Sequence, residues 1–166
     1  MEKLLWSKGI FKNKLVITRG NEQIGVIRWN NFFSSGAIAT LKGRGFILNR
    51  DYFLSKLEIE DANNHDVLGS IMINMFSLRG DLVINRKRFE LEIKNFWQSR
   101  WSWKFNGQEI ITFQSHELLS KDRGEIEIYA ANAEEVEILI LLGLFIRSQL
   151  IIFMLLLLLV ILFVII

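Results

Sequence analysis

Two different hydrophobic patterns divide the chain near residue 130. Before this point, apolar and polar residues alternate in short segments such as Lys14–Thr18, Lys56–Glu60 and Glu125–Ile128. Alternation with a period of two is typical of strands that have one buried face. Turn-forming residues separate these segments, among them Asn106-Gly107, which favours a type I′ hairpin turn. The pattern predicts about twelve or thirteen short strands, and so many strands imply a sandwich or a closed barrel.

The C-terminal part is apolar without alternation. Residues 138–146 read ILILLGLFI, residues 150–166 read LIIFMLLLLLVILFVII, and only Arg147-Ser148-Gln149 separates the two runs. The chain contains no proline that would interrupt a helix, and acidic residues from Glu134 onward suit the first helical turn. A helix that is apolar on all sides is buried either in protein or in lipid. We therefore predict one long helix, buried in the barrel over about 134–149 and continuing as a membrane tail over 150–166.

An internal repeat with a shift of 44 residues supports a regular β-architecture. Ile24-Gly25-Val26-Ile27 aligns with Leu68-Gly69-Ser70-Ile71 under this shift. The basic turn Lys42-Gly43-Arg44 aligns with Arg86-Lys87-Arg88, and Lys121-Asp122-Arg123 ends a shortened third copy. Three copies of about four strands each give about twelve strands.

These features resemble the tubby C-terminal-like superfamily, which includes tubby domains, phospholipid scramblases and plant LURP-one-related proteins. The resemblance rests on the repetitive all-β chain, the Ile-Gly-x-Ile motif at Ile24–Ile27 and the apolar helix that opens with Glu134-Glu135. It covers residues 1 to about 149 and implies twelve antiparallel strands closed around a buried hydrophobic helix. It also implies lipid binding, with phosphoinositides among the ligands. The tail over 150–166 departs from the family pattern.

The predicted helix has a suitable length for filling such a barrel. A twelve-stranded barrel has a lumen too wide for its own side chains to fill, and about 16 helical residues span about 24 Å. Gly143 has no side chain and allows the barrel wall to come close. The tail residues 150–166 would span about 25 Å, near the short end of the range for a membrane-crossing helix. Arg147 is expected to extend to the lipid–water boundary.

Composition restricts the classes of function. Twenty Lys and Arg residues against eighteen Asp and Glu residues give a net charge of +2, which does not favour a nucleic-acid-binding protein. The chain has no cysteine and two histidines, His65 and His116. Neither histidine lies in a catalytic or metal-ligating motif, and there is no glycine-rich phosphate loop. We therefore expect no enzymatic activity, no cofactor and no metal site.

Basic residues recur in turns that are predicted to share one rim of the barrel. If strands run up and down from Lys14, the helix starts at the opposite rim and returns through the lumen, so Arg147 is expected to emerge among these turns. Near an anionic membrane each juxtamembrane Lys or Arg is worth about 1 kcal/mol, although solvated turns are often charged without such a role. The candidate headgroup-binding residues are Lys42, Arg44, Arg86, Lys87, Arg88, Lys121, Arg123 and Arg147.

An aromatic cluster lies between residues 96 and 105. Trp101, Trp103 and Phe105 share one face of a predicted strand, which favours packing in the core. Trp97 is the best candidate in this cluster for a residue at a membrane interface.

The expected function is a non-catalytic, membrane-associated module that binds lipid headgroups or acts as an adaptor. Its barrel is expected on the cytoplasmic side, its tail in the bilayer, and its partner is an anionic phospholipid or membrane surface. One alternative is a scramblase-like lipid transporter, although moving headgroups requires a polar path that the tail does not provide. The other is a soluble structural or interaction protein that buries its apolar C-terminus on assembly.

Overall fold

Twelve antiparallel strands close into a barrel around the first half of one long helix, as the sequence predicted. The computed structural model describes residues 1–9, 12–31, 33–51, 56–74, 77–95, 99–117, 121–130 and 135–165. The strands are β1 (Glu2–Gly9), β2 (Lys14–Arg19), β3 (Glu22–Trp29), β4 (Gly36–Leu41), β5 (Arg44–Arg50), β6 (Lys56–Asp61), β7 (Val67–Asn74), β8 (Arg79–Ile84), β9 (Lys87–Ile93), β10 (Arg100–Phe105), β11 (Gln108–Glu117) and β12 (Lys121–Ile128), followed by the helix α1 (Glu135–Ile165). Each strand pairs with its neighbours in sequence, and β1 closes the barrel on β12.

Alternating side chains sort the wall into an apolar inner face and a charged outer face. In β8, for example, Leu82 and Ile84 are buried, whereas Arg79, Asp81 and Val83 are exposed. The period of two in the sequence therefore becomes the two faces of the pleated sheet. Burial of the inner rows gives one continuous core that also contains the first half of α1.

Tight turns with left-handed residues close the hairpins at one end of the barrel. Lys42 and Gly43 have φ angles of 49° and 82°, and Asn106 and Gly107 have φ angles of 50° and 77°. A type I′ turn requires positive φ at both central residues. The hairpin predicted at Asn106-Gly107 is confirmed, and Lys42-Gly43 makes a turn of the same kind between β4 and β5.

A register irregularity recurs at every fourth hairpin. The pairing shifts by one residue between Ile17 and Thr18 in β2–β3, between Ile59 and Glu60 in β6–β7, and between Trp103 and Lys104 in β10–β11. Such bulges increase the local twist of a strand pair. These three shifts are four strands apart, as in the predicted three-copy repeat, whereas a fourth shift, between Ser115 and Glu117 in β11–β12, falls outside this spacing.

The first half of α1 fills the lumen. Residues 135–150 are all buried except the half-buried Glu137, and Leu139, Leu142 and Phe145 are no more than 1% exposed. The indole N–H of Trp103 in the wall donates a hydrogen bond of 2.7 Å to the carbonyl of Leu139. A Cβ on Gly143 would lie 2.6 Å from Cζ of Phe113. The predicted central helix and the close approach at Gly143 are confirmed.

The second half of α1 leaves the barrel without a break in the helix. Leu150 and Ile152 are still buried at 1% and 3% exposure, so the predicted boundary after Gln149 lies inside the buried segment. From Phe153 to Ile165 every side chain except that of Met154 is more than a third exposed, and all thirteen are apolar. Among the described residues, α1 alone is long and apolar enough to cross a membrane, a criterion that core helices of soluble proteins also meet.

Strand order gives the barrel two distinct rims. The hairpin rim contains the turns β2–β3, β4–β5, β6–β7, β8–β9 and β10–β11, together with the start of α1. The tail rim contains the connections β1–β2, β3–β4, β5–β6, β7–β8, β9–β10 and β11–β12, together with the point where α1 leaves. The two ends of the lumen therefore differ in what surrounds the helix.

The prediction that all the basic turns share one rim with Arg147 is wrong. Lys121 and Arg123 begin β12 at the tail rim, and Arg147 lies at the same end, whereas Lys42 and Arg86 lie in turns of the hairpin rim. The reason is that β11 is one ten-residue strand. The chain therefore crosses the barrel once between Gly107 and Lys121, where the sequence suggested two crossings.

Candidate functional site

Most of the basic candidates at the hairpin rim hold acidic partners. Arg44 pairs with Asp61 at 2.9 Å, Lys87 pairs with Glu135 at 3.0 Å, and Arg88 pairs with Asp81 at 3.0 Å. The Lys87 pair ties the β8–β9 hairpin to the start of α1, because the Glu135 side chain is only 4% exposed. Arg44, Lys87 and Arg88 are therefore engaged in ion pairs within the barrel. Lys42 and Arg86 project from turns as exposed residues.

The β6–β7 turn at this rim is stabilised by the carboxylate of Asp61. The backbone N–H of Asn63 donates to Asp61 at 2.9 Å, and this bond, followed by that from Arg44, holds the pKa of Asp61 below its usual value. The nearby His65 has a positive φ of 61°. Among the described residues, no group of three His, Asp or Glu side chains lies close enough to hold a metal ion.

Arg147 lies inside the barrel mouth at the tail rim. Its side chain is 3% exposed, forms an ion pair with Asp122 and donates a hydrogen bond of 2.9 Å to Oγ of Ser115. The guanidinium also lies over the rings of Trp6 and Trp101, at 5.0 and 5.1 Å from their centroids. The expectation that Arg147 extends to the lipid boundary is therefore wrong. Its charge is neutralised by Asp122 of β12 and it lies over two indole rings, so it is a structural part of the mouth.

A second polar contact closes the other side of the mouth. Nε of Arg50 donates a hydrogen bond of 2.5 Å to Oε1 of the buried Gln149, and Lys8 lies over the ring of Trp29 at 4.4 Å from its centroid. Burial lowers the pKa of Lys8, and the charge of Arg147 lowers it further, against the opposing effect of Asp122. We call these residues the polar collar; it consists of Lys8, Arg50, Ser115, Asp122, Arg147 and Gln149. The polar collar separates the apolar lumen from the apolar tail.

The two rims carry very different charge. Each rim comprises its connections and the two terminal residues of every strand that ends there. Among the described side chains, the hairpin rim has eight basic and seven acidic residues, whereas the tail rim has nine basic and three acidic residues. The basic residues of the tail rim are Lys8, Lys12, Lys14, Arg28, Arg50, Lys56, Arg79, Lys94 and Arg100. The excess positive charge of the barrel therefore surrounds the point where the apolar helix leaves.

Sequence reasoning missed this second set because its members are scattered. The hairpin-rim residues form conspicuous pairs and triplets in single turns, whereas the tail-rim residues come one or two at a time from many strand ends. A usable signal was the scarcity of acidic residues in the first fifty positions, where only Glu2 and Glu22 occur beside nine Lys and Arg residues. Strand order was needed to bring these positions together.

The remaining candidates have mixed outcomes. Arg123 is exposed on the outer wall near the tail rim, beside Leu5 and His116. The side chain of Lys121 and the whole of Trp97 lie outside the described residues. Trp101 and Trp103 are buried at 1% and 0% exposure, which confirms that they belong to the core.

Comparison of the chain with protein-family models, with curated protein sequences and with solved structures gave no match. The candidate site is therefore defined by its geometry alone. It consists of an apolar lumen filled by α1, a polar collar, and a basic rim around an exposed apolar helix.

Proposed function

We propose that this protein is a membrane-anchored, tubby-like β-barrel that binds an anionic phospholipid surface through its tail rim and carries out no chemistry. One observation carries the proposal: the thirteen apolar residues Phe153–Ile165 project from the rim that has nine basic and three acidic side chains. An exposed apolar surface of this size marks a membrane or protein contact. Basic residues beside a membrane segment are attracted to anionic lipid, at about 1 kcal/mol each.

The continuity of α1 restricts how the barrel can lie on a bilayer. The last buried residue is Ile152 and the first exposed residue is Phe153, so no polar spacer separates the barrel from the tail. When the tail enters the hydrocarbon layer, the tail rim comes to the level of the headgroups. The residues that we propose to contact headgroups are therefore the basic residues of the tail rim and not the candidates at the hairpin rim. Because anionic lipids are concentrated in the cytoplasmic leaflet, we place the barrel on the cytoplasmic side.

Flotation with lipid vesicles tests this function. On uncharged phosphatidylcholine vesicles, to which the basic tail rim is not attracted, the full chain should float and a chain that ends after Ile152 should remain in the dense fraction. A full-length control carries Leu157→Asp and Leu159→Asp, because charges in the middle of a membrane helix cost about 2.5–3.5 kcal/mol each. This control should lose flotation while its barrel melts at the temperature of the unmodified protein. Flotation of the shortened chain equal to that of the full chain would contradict the tail as the anchor.

The two alternative functions predict different results. A scramblase needs a polar path for headgroups, yet Phe153–Ile165 contains no polar side chain, and Arg147 and Gln149 are engaged in the polar collar. Lipid transfer between leaflets in reconstituted vesicles would support that alternative. A soluble protein that buries its tail by assembly would form defined oligomers without detergent and would not float.

A further inference from the structure

The net positive charge of the tail rim lies on one side of the barrel, because β1 to β5 and the connections between them supply five of its nine basic side chains and none of its three acidic ones. The first fifty residues, which form β1 to β5, carry nine basic and two acidic residues. The other 116 residues carry eleven basic and sixteen acidic residues. The small net charge of the whole chain therefore conceals a basic side of the barrel, formed by β1 to β5, and an acidic remainder.

On this basic side of the barrel, two like charges lie directly opposite each other. Lys14 of β2 and Arg28 of β3 are paired residues in adjacent antiparallel strands, and both lie on the outer face. Opposed side chains in such a pair are about 4.5–5.5 Å apart at Cβ, and like charges there are destabilising. The exposed Lys12 precedes them in the same corner. Among the described residues, no carboxylate forms an ion pair with Lys12, Lys14 or Arg28.

Other parts of the tail rim neutralise their cations. Lys56 pairs with Glu58 at 2.5 Å, Arg79 pairs with Glu92 at 3.2 Å, and Lys94 pairs with Glu109. The corner formed by β2 and β3 differs because its cations face outward without such partners in the described chain. An uncompensated pair of like charges is stabilised when an external anion lies between them.

Apolar side chains accompany the basic corner. Phe33, in the β3–β4 connection of the tail rim, is 60% exposed, and Ile38, which pairs with Arg28 across β3–β4, is 62% exposed. Aromatic and basic side chains together are typical of surfaces that lie at the headgroup level of a membrane. An acidic protein would also pair with these cations. The membrane is favoured because the apolar tail leaves from the same rim.

We infer that the barrel leans on the membrane through this corner, so that Lys12, Lys14, Arg28 and Phe33 contact the phosphate groups and upper acyl chains of an anionic leaflet. The inference rests on the proposed function and specifies which side of the tail rim touches lipid. The lean follows from charge: the corner is attracted to anionic headgroups, while the neutralised side around β7 to β10 is not. Recognition here is by charge density, so the lipid class is any anionic phospholipid.

A fluorescent label reports on this contact in the full-length protein. The chain has no cysteine, so one introduced cysteine is a unique labelling site. Asn30→Cys places an environment-sensitive dye in the β3–β4 connection and leaves all four contact residues intact. Ser77→Cys places the same dye in the β7–β8 connection of the same rim, a third of the way around the barrel.

The two labelled proteins are compared on vesicles of pure phosphatidylcholine and on vesicles with 30% phosphatidylserine added as a probe. On the anionic vesicles we expect a blue shift at residue 30 and none at residue 77. The triple variant Lys12→Gln, Lys14→Gln and Arg28→Gln should weaken this contact about a hundredfold, at about fivefold per charge, and abolish the shift. Removing the same charge at the hairpin rim with Lys42→Gln, Arg86→Gln and Arg88→Gln should leave it unchanged.

The outcomes separate this inference from the proposed function. If the full chain floats with both kinds of vesicle but residue 30 gives no shift, or if residues 30 and 77 shift equally, the lean is overturned and the anchor stands. The absence of a blue shift at residue 30 would also favour an acidic protein as the partner of the corner. If the chain does not float at all, the anchor and the lean are both overturned.

Discussion

The two halves of α1 are nearly indistinguishable in sequence and have opposite surroundings in the structure. Residues 138–146 and 153–165 are both uninterrupted apolar runs apart from Gly143. The first run is surrounded by the strands and is almost completely buried, whereas the second is exposed except for the half-buried Met154. An apolar helix is stable in either a protein lumen or lipid. The comparison teaches that hydropathy alone does not distinguish a core helix from a membrane helix; the surrounding wall does.

The polar collar marks the change between these surroundings. Arg147, Ser148 and Gln149 are the only polar residues of α1 after Glu137, and all three are buried at the mouth of the barrel. The partners of Arg147 and Gln149 come from the wall and include Asp122 and Arg50. A buried ion pair fixes registry more than it adds stability. We therefore interpret the polar collar as the feature that sets how far the helix enters the lumen.

The largest expected difference between the two halves of α1 is in how folding responds to an aspartate placed in each of them. Leu142→Asp should prevent folding, because the side chain is 0% exposed and an unpaired carboxylate in the lumen costs several kcal/mol. Leu157→Asp should leave the barrel folded, because that side chain is 50% exposed. Circular dichroism during heating in a mild detergent measures both. Cooperative melting of the Leu142→Asp variant near the unmodified temperature would contradict the buried plug.

The next effect concerns the boundary between the halves. Asp122→Asn should destabilise the barrel by about 3–5 kcal/mol, because it leaves the guanidinium of Arg147 buried without its counter-charge. Urea unfolding followed by tryptophan fluorescence gives the change in the free energy of unfolding.

The double variant Asp122→Leu and Arg147→Met provides the control for this boundary. Removing both charges leaves no buried ion, so the double variant should be considerably more stable than Asp122→Asn. If the single and double variants lose the same stability, the buried charge of Arg147 is not the cause.

A smaller effect tests how closely the wall packs on the first half. Gly143→Ala should destabilise by about 1–3 kcal/mol, because the added methyl lies 2.6 Å from Cζ of Phe113 and 3.1 Å from the indole nitrogen of Trp103. The better helix propensity of alanine offsets about 1 kcal/mol of this loss. Adding Phe113→Leu should recover part of the stability. In the second half, Val160→Ala is the matched control and should leave the melting temperature unchanged.

The smallest effect comes from the outer wall, which the two halves of α1 do not touch. Hydrogen bonding to Lys104 holds the pKa of Glu92 below its ordinary value, and Lys94 does the same for Glu109, although partial burial opposes both shifts. Because the folded pKa is lower than the unfolded one, each carboxylate stabilises the barrel above the unfolded pKa. This contribution is lost as the pH falls through the folded pKa.

Urea titrations between pH 7 and pH 3 measure this loss. The variant Lys104→Gln should reduce the acid-dependent part of the change, since it removes the first partner of Glu92. An unchanged pH dependence in this variant would show that the ion pair does not contribute.

Much of the barrel was predictable from the sequence because two periodicities carry it. Alternation gave the strands, and the repeat around Ile24–Ile27 gave their number. The sequence did not show that the chain crosses the wall only once between Gly107 and Lys121. Lys121-Asp122-Arg123-Gly124 has the composition of a turn, yet it lies in β12, and a Cβ on Gly124 would clash with the backbone carbonyl oxygen of Gln114. That glycine serves close backbone packing.

The candidate site was less predictable for the same reason. One extra predicted crossing between Gly107 and Lys121 put Arg147 at the wrong rim. The tail was therefore predicted to leave among the turns of the hairpin rim. Local composition identifies charged turns, but only the closed topology shows which strand ends surround the helix as it leaves. The scattered cations Lys12, Lys14 and Arg28 become one corner only after β2 and β3 are paired.

The position of the second half of α1 can be measured directly with a dye attached at Leu157→Cys in the otherwise cysteine-free chain. The protein is bound to vesicles whose lipids carry a bromine quencher in the acyl chains, and iodide serves as the quencher in water. We expect strong quenching by the brominated lipid and none by iodide, because the proposed anchor would hold residue 157 in the hydrocarbon layer and keep the barrel outside it. Quenching by iodide, or protection from both quenchers in an oligomer that does not bind vesicles, would contradict a membrane role for the second half of the helix.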